Sequence, residues 1–227
     1  MARAVTMVMF ALAAFATVAA AVVATGDVLT GTAGSSWAIA LYTVLKAAVV
    51  SSFAVLVAMR PQARRGAREP IAIIACVAAL AAAGALHPPG SVPSAAVETA
   101  GLAVAVAGTC WMLASVLALG TCFGILPEAR GLVQRGPYRL VRHPLYLGEL
   151  TACAGLVAAS PSLANALLLA VFAGAQVVRM RLEEAELTAA FPEYAGYAAR
   201  TPRLLAWPRR RAMTASGDRL GATPESA

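Results

Sequence analysis

The residues best suited to chemistry lie in one stretch, residues 135–148, which we call the polar segment. It combines arginines, two tyrosines, two prolines and His143, one of only two histidines in the chain. Pro137 and Pro144 stiffen the backbone and disfavour helix immediately before them. The run from His143 to Tyr146 leads directly into apolar sequence, so we expect these side chains at a membrane surface. Such a segment is typical of a ligand site, and the alternative is a basic loop that only orients the protein in the membrane.

A second polar cluster follows at residues 179–187. On a helix, Arg179 and Glu183 are one turn apart and share a face, with Glu186 close by. Alone, this spacing is typical of a solvated helix with a weak ion pair. Here the cluster ends a predicted helical hairpin whose other end begins at His143. Because a hairpin brings its two ends together, we expect the polar segment and this cluster to be neighbours.

Composition decides the class of protein that positions these residues. The chain has 227 residues, of which 60% are hydrophobic and only 13% charged, which excludes an ordinary soluble domain. We therefore predict an all-α, polytopic transmembrane bundle surrounded by membrane lipids. The net charge of +7 is typical of membrane topology rather than of nucleic-acid binding, and the sequence indicates no obligate protein partner. Two histidines, and four cysteines without a Cys-x-x-Cys pair, indicate no metal site.

The apolar sequence divides into about six segments, of which the last two are predicted to form a short helical hairpin. A cleaved signal peptide is the alternative for the first segment, and we favour a retained helix. The predicted segments are residues 4–24, 37–59, 70–86, 99–126, 145–159 and 162–178.

The arginines predict the orientation of these segments. The arginines fall on Arg3, residues 60–68, residues 130–142 and the chain from residue 179 onward, whereas the loops after the first, third and fifth segments carry no lysine or arginine. Both termini are therefore predicted to be cytoplasmic. We divide the chain into N-terminal membrane helices (1–126), a catalytic core (127–208) and a disordered tail (209–227).

Lys46 lies near the middle of the second segment. A charged residue there costs about 2.5–3.5 kcal/mol on insertion scales and is a functional candidate. Two interpretations stay open: a structural pair with Glu98 or Glu149, and a wall of a substrate cavity.

The motifs of both clusters resemble those of the isoprenylcysteine carboxyl methyltransferases, a family related to the membrane phospholipid methyltransferases. The shared pattern is Gly-Pro-Tyr, four residues, His-Pro-x-Tyr-x-Gly, a hairpin, Glu-Glu-x-x-Leu-x-x-x-Phe-Pro-Glu-Tyr-x-x-Tyr and finally Arg200-Thr-Pro-Arg203. The resemblance covers residues 130–203. It implies methyl transfer from S-adenosylmethionine to a lipophilic acceptor at the cytoplasmic membrane face. The acceptor group, whether carboxylate, amine or thiol, stays open.

The resemblance also implies roles for individual residues. Arg179, Arg142 and Glu184 correspond to catalytic positions, with Arg179 facing the acceptor. The choice between Glu183 and Glu184 as the cofactor contact stays open, because the alignment there could slip by one. The positions that correspond to cofactor contacts are Arg130, Gly131, Leu132, Val133, Tyr138, His143, Pro144, Leu145, Tyr146 and Glu183.

Two other functions compete with methyl transfer. Membrane sterol-reductase-like proteins, which bind a nicotinamide cofactor, carry a similar Arg-His-Pro-Asn-Tyr-x-Gly-Glu segment, and Gly148-Glu149 matches its end. Leu145 in place of asparagine and the upstream Gly-Pro-Tyr favour the methyltransferase. A non-enzymatic scaffold that binds anionic lipids would not need His143, Tyr146 and Glu183 together. The alanine- and arginine-rich composition is typical of bacteria, so we expect a multi-pass protein of a bacterial inner membrane.

Overall fold

The structure, a computed structural model, describes residues 2–32, 37–59, 65–66, 70–86, 94–124 and 126–204. Seven α-helices make up most of this part of the chain, with one two-stranded antiparallel ribbon and short 3-10 turns at Gly120–Cys122 and Gly136–Arg139. The helices are α1 (Ala2–Leu29), α2 (Trp37–Met59), α3 (Pro70–Ala85), α4 (Ala95–Leu119), α5 (Pro144–Ala159), α6 (Leu163–Ala190) and α7 (Tyr194–Arg200), and the strands are β1 (Arg65–Gly66) and β2 (Glu128–Ala129).

Four of the described helices, α1, α2, α4 and α6, are long and apolar enough to cross a membrane. The apolar helices α3 and α5 have 16 residues each, which corresponds to about 24 Å of helix, less than the roughly 30 Å of a hydrocarbon core. The prediction of an all-α, multi-pass membrane bundle is confirmed. The cytoplasmic location of the termini stays a prediction, and so does the division of the chain into three parts.

Two apolar segments differ in length from the helices that they form, and the glycine-bounded stretch 120–124 predicts that the fourth helix ends before residue 126. The first helix continues past residue 24 to Leu29. The fourth helix ends at Leu119 rather than at residue 126, because Gly120 takes a positive φ of 56° that breaks the helix. Its start lies at Ala95, where the Ser94 hydroxyl accepts a hydrogen bond from the Val97 amide at 3.3 Å.

The apolar run after residue 162 and the charged cluster after residue 179 form one continuous helix, α6. The Ser162 hydroxyl caps its start by accepting a bond from the Asn165 amide at 3.0 Å, and Pro192 follows just beyond its end. At 1.5 Å per residue, Glu183 lies about 30 Å from the start of the helix. The charged residues are therefore fixed rigidly to the membrane span. The predicted tail, 209–227, and His87 lie outside the described residues.

Helix α5 packs mainly against α4, and α6 packs mainly against α3. The two arms of the hairpin therefore contact these neighbours more extensively than they contact each other. Small residues allow the α4–α5 contact. A Cβ added to Gly108 would lie 2.5 Å from the Ala152 amide nitrogen, and one added to Gly148 would lie 2.8 Å from that of Met112. The backbones of the two helices are therefore in direct contact, as membrane helices with small interfacial residues often are.

One end of the bundle collects the loops around the polar segment. Strand β1, from the loop after α2, pairs with β2, which precedes the polar segment. The amides of Arg142 and His143 donate to the carbonyls of Pro202 and Arg203 at 2.8 and 3.1 Å. The polar segment is thus tied to the chain both before α3 and after α7.

Candidate functional site

The polar segment has the geometry that its prolines and glycines predict. Gly136 takes a positive φ of 57° at the start of the 3-10 turn, and Pro137 follows it. Tyr138 is buried, and its carbonyl accepts a 2.6 Å hydrogen bond from the Tyr197 hydroxyl. Burial, with a smaller contribution from the Glu183 carboxylate, raises the pKa of Tyr138 well above its usual value. The tyrosine is therefore a neutral hydrogen-bonding group.

Glu184 holds the polar segment to α6. Its Oε1 lies 2.9 Å from His143 Nε2, and because a carboxylate only accepts, this ring nitrogen carries the hydrogen. Arg142 Nη1 lies 3.1 Å from the same oxygen. Arg203 donates from Nε at 3.0 Å and from Nη2 to the other oxygen. Three donors from two chain segments thus occupy this carboxylate, which is only 12% exposed.

Glu183, the adjacent residue, faces a different set of groups. Its Oε2 accepts a 2.9 Å hydrogen bond from the Tyr146 hydroxyl and lies 3.9 Å from His143 Nδ1. Arg179, one turn earlier on α6, stacks over the Tyr146 ring with its guanidinium carbon 4.9 Å from the ring centre. Tyr146 therefore joins the cofactor-facing and acceptor-facing residues that the resemblance implies.

The contacts between α5 and α6 continue deeper into the bundle. Arg179 Nη1 donates to Gln176 Oε1 at 2.8 Å, and Gln176 Nε2 donates to Glu149 Oε2. Gln176 is fully buried. Since arginine can only donate, the amide oxygen must face Arg179 and the amide NH₂ must face Glu149. A chain of hydrogen bonds therefore leads from Arg179 to a carboxylate inside the apolar part of the protein.

Two small adjoining recesses, each of about 30 Å³, lie beside the polar segment. Tyr138 and Glu183 border both of them. His143, Leu145 and Tyr146 border the first. The walls of the second include Gly131, Leu132, Val133, Arg142, Tyr194 and Tyr197. We call these two spaces together the polar recess.

Two larger spaces, of about 250 and 190 Å³, are each lined by residues of α2, α3, α5 and α6. We call them together the apolar cavity. Phe53, Glu149 and Arg179 border both spaces. The larger space is also lined by Phe10 and by Phe123, whose ring stacks on that of Phe53 at 4.4 Å. Leu145 borders both this space and the polar recess, so the two spaces approach each other at this side chain.

The structure brings together nearly all residues that the sequence singled out. Arg130 forms a 2.5 Å ion pair with Glu128, while the three residues after it border the polar recess. Pro144 is buried as the first residue of α5, directly after His143. Of the two glutamates left open by the sequence, Glu183 borders the recess, whereas Glu184 is held by Arg142, His143 and Arg203.

Lys46 lies over the ring of Tyr42, 6.0 Å from its centre, and borders the smaller space of the apolar cavity with Glu149. The cavity interpretation of Lys46 therefore has a structural basis.

The sequence interpretation missed the role of Glu149 and Gln176. Glu149 entered only as a reductase-like feature and as a partner of Lys46, and Gln176 was not singled out. A signal for both was present. Tyr146 and Glu149 are spaced i, i+3 on one apolar helix, and Gln176, Arg179 and Glu183 form a polar stripe on the next.

Residues 97–193 match the family model described as Phospholipid methyltransferase. Among curated proteins, the chain is 49% identical over 72 residues to "Cobalt-zinc-cadmium resistance protein CzcN" of Cupriavidus metallidurans, a match that covers 31% of this chain and 33% of that protein. It is 42% identical over 72 residues to "Nickel-cobalt-cadmium resistance protein NccN" of Alcaligenes xylosoxydans xylosoxydans, covering 31% and 34%.

The matched part thus spans about a third of the length of these relatives. Within the described residues of this chain, no group of three or more His, Cys, Asp or Glu side chains is placed to hold a metal ion.

Proposed function

We propose that this chain is a methyltransferase, because residues 97–193 match the model of the phospholipid methyltransferases, the family of integral membrane methyltransferases that includes the isoprenylcysteine carboxyl methyltransferases. The methyl donor is S-adenosylmethionine, and the acceptor is a lipophilic molecule that enters from the bilayer. The reaction takes place at the cytoplasmic face of a bacterial inner membrane, where the arginine-rich loops lie. Bacterial relatives support this location.

The observation that carries the proposal is the contact between a polar recess and an apolar cavity. Methyl transfer requires a polar, charged donor and a lipophilic acceptor to meet in line, with their reacting atoms about 3–3.5 Å apart. A single side chain, Leu145, borders both spaces. A donor bound on one side and an acceptor bound on the other would therefore meet beside Leu145 and Tyr146.

The groups around the polar recess fit this cofactor. When bound, S-adenosylmethionine supplies an activated methyl group on a positively charged sulfur. The faces of Tyr138 and Tyr146 suit a cation through cation–π attraction. Glu183, which is 28% exposed and accepts a hydrogen bond from Tyr146 through Oε2, suits the ammonium or the ribose hydroxyls of the donor. The backbone at residues 131–133 offers further hydrogen-bonding groups beside the second recess.

The residues of the apolar cavity fit the acceptor side. Phe10, Phe53 and Phe123 form an aromatic wall that suits a hydrocarbon chain and excludes water. Exclusion of water favours methyl transfer from the sulfonium of the donor, because replacing the hydration of the reacting groups with fixed protein dipoles stabilises the charge rearrangement. Arg179 lies at the boundary, over the Tyr146 ring, where it can orient the polar head of the acceptor. In this proposal Arg142 and Glu184 position His143 and the polar segment.

The test is calorimetric titration of the detergent-solubilised protein with S-adenosylhomocysteine, the product of the donor, and separately with NADPH. We expect binding of S-adenosylhomocysteine. Glu183→Gln should weaken it roughly 10- to 150-fold, the equivalent of one charge-assisted hydrogen bond of about 1.5–3 kcal/mol. Glu98→Gln is the matched control, because Glu98 lies in the first turn of α4, at the opposite end of the bundle. Arg179→Ala should retain binding while methyl transfer to long-chain acids, amines or thiols falls about 100-fold, from the loss of roughly 2.7 kcal/mol of orienting contact.

Binding of NADPH without binding of S-adenosylhomocysteine would replace this proposal with the reductase function. Binding of neither cofactor, with retained affinity for anionic lipid vesicles, would favour the scaffold. Glu183→Gln and Arg179→Ala proteins that both behave like the unmodified protein would show that this cluster is not the site.

A further inference from the structure

The apolar cavity contains a carboxylate that the proposed binding roles do not explain. Glu149 borders both spaces of the cavity and lies five residues into α5, about 8 Å from the start of that helix. Most of its neighbours there are hydrocarbon or aromatic side chains. An ionisable residue inside a membrane segment is expensive to bury and is a functional candidate for that reason.

Two polar side chains of α6 surround this carboxyl group. The buried Gln176 amide donates to Glu149 Oε2, and Arg179 fixes the orientation of that amide through its 2.8 Å bond to Oε1 of Gln176. Arg179 borders the same two spaces as Glu149, and its positive charge favours the ionised form of this carboxyl group. Within the described part of the chain, Oε2 carries the only hydrogen bond of this carboxylate. Oε1 is therefore available to a molecule in the cavity.

The charges around Arg179 argue against an anionic acceptor. Glu149 and Glu183 both lie within electrostatic reach of its guanidinium group. An acceptor carboxylate would be a third anion beside one arginine in a low-dielectric site, where like charges repel strongly. Lys46, the other cation at the cavity, borders only the smaller space and lies beside Tyr42.

Building on the function proposed above, we propose that Glu149 accepts the proton of the methyl acceptor, and that this acceptor is a lipophilic molecule with a protonated nucleophile, a thiol or an amine. The nucleophile's lone pair forms the new bond to the methyl carbon. The carbon–sulfur bond of the donor breaks, and its electron pair stays on the sulfur. The proton leaves the nucleophile for the Glu149 carboxylate; from an ammonium group it leaves before the attack and so frees the lone pair, whereas from a thiol it leaves as the new bond forms. An acceptor carboxylate would need no such base.

The pH dependence of this step will reflect all groups near Glu149. Helix α1 contributes the uncharged Met9 and Phe10 to the cavity, and α4 contributes the uncharged Thr109 and Met112. The titratable or charged groups that face the region are Tyr42 and Lys46 on α2, Cys76 on α3, Tyr146 and Cys153 on α5, and Arg179 and Glu183 on α6.

The experiment uses three twelve-carbon probes that differ only in their head group: dodecanethiol, dodecylamine and dodecanoate. Methyl transfer from radiolabelled S-adenosylmethionine is measured with the unmodified protein, Glu149→Gln, Glu149→Asp and the control Glu98→Gln. We expect the thiol or the amine to be methylated at least about tenfold faster than dodecanoate. Glu149→Gln should reduce that rate about 100-fold or more, as loss of a general base does. Glu149→Asp should retain an intermediate rate, and the affinity for S-adenosylhomocysteine should be unchanged in every variant.

Separate results distinguish this inference from the proposed function. If S-adenosylhomocysteine binds but dodecanoate is the preferred probe, the acceptor class is wrong while the methyltransferase function stands. If Glu149→Gln transfers methyl groups as fast as Glu98→Gln, Glu149 is not the base, and the methyltransferase function again stands. Absence of S-adenosylhomocysteine binding overturns both. If Glu149→Gln does not fold, the probe preference of the unmodified protein and the rate of Glu149→Asp decide the question.

Discussion

Gly155 offers a quantitative test of the α4–α5 contact that lies directly behind the site. A Cβ added at this position would lie 2.4 Å from the Ala105 amide nitrogen and 2.7 Å from the Gly101 carbonyl oxygen. Both neighbours are backbone atoms and cannot rotate away. We therefore expect Gly155→Ala to push the helices apart by about 1 Å, until the contacts reach the usual 3.5 Å or so.

The expected loss of stability follows from that displacement. A gap of 0.5–1 Å forfeits a quarter to a half of a dispersion contact worth about 0.1–0.2 kcal/mol. Over roughly 40 atom pairs, the number that a buried leucine makes, the loss is about 2 kcal/mol, within the usual range for overpacking. Gly174→Ala is the matched control, because Gly174 lies inside α6 with nothing within 4 Å of its added Cβ. Both substitutions gain up to about 1 kcal/mol of helix propensity, so their difference isolates the packing loss.

The assay is equilibrium unfolding of the purified protein in mixed micelles, followed by circular dichroism. We expect Gly155→Ala to be about 2 kcal/mol less stable than Gly174→Ala. Because α5 begins directly after His143 and carries Tyr146, both of which border the polar recess, the affinity for S-adenosylhomocysteine should fall with the stability. Equal stability of the two variants would refute the direct backbone contact and the packing argument that depends on it.

Two further predictions concern the end of the bundle near the polar segment. Glu184→Gln should lower the unfolding free energy by about 1.5–3 kcal/mol, because it weakens the charged hydrogen bonds to His143 and Arg203. In the same denaturation experiment, Glu183→Gln should leave the unfolding free energy nearly unchanged. A second test concerns pH: burial raises the pKa of both Tyr194 and Tyr197 to about 12, above the value of roughly 10 in an unfolded chain. Unfolding then releases protons, so their contribution to stability is complete below about pH 10 and disappears between pH 10 and 12. Between pH 10 and 12, the free energy of unfolding should fall less steeply with pH for Tyr197→Phe than for the unmodified protein. An unchanged slope would contradict the effect of burial on the pKa of Tyr197.

Sequence alone was sufficient to predict the membrane helices and most of the residues that border the polar recess. Long uncharged runs predict spans because a hydrocarbon core rejects charge and unpaired backbone groups, whatever the neighbouring helices are. The prolines and glycines of the polar segment predict its turns, since their backbone preferences are local. The limits of an uncharged run, however, are not the limits of the helix that it forms. Ser94 and Gly120 decide the ends of α4, and hydrophobicity carries no information about such caps.

The partners of individual side chains depended on the tertiary structure. Adjacent residues on a helix point about 100° apart, so Glu183 and Glu184 face different groups, and only the rotation of α6 against α5 decides which one reaches the polar recess. The bond between Gln176 and Glu149 joins residues 27 positions apart in the chain. The apolar cavity depends likewise on α3 packing against α6 and α2 against α4, which leaves space between α2 and α3. Local sequence determines which residues are polar, but the pairing of distant helices determines which of them meet, because that pairing is decided by close packing along whole helix faces.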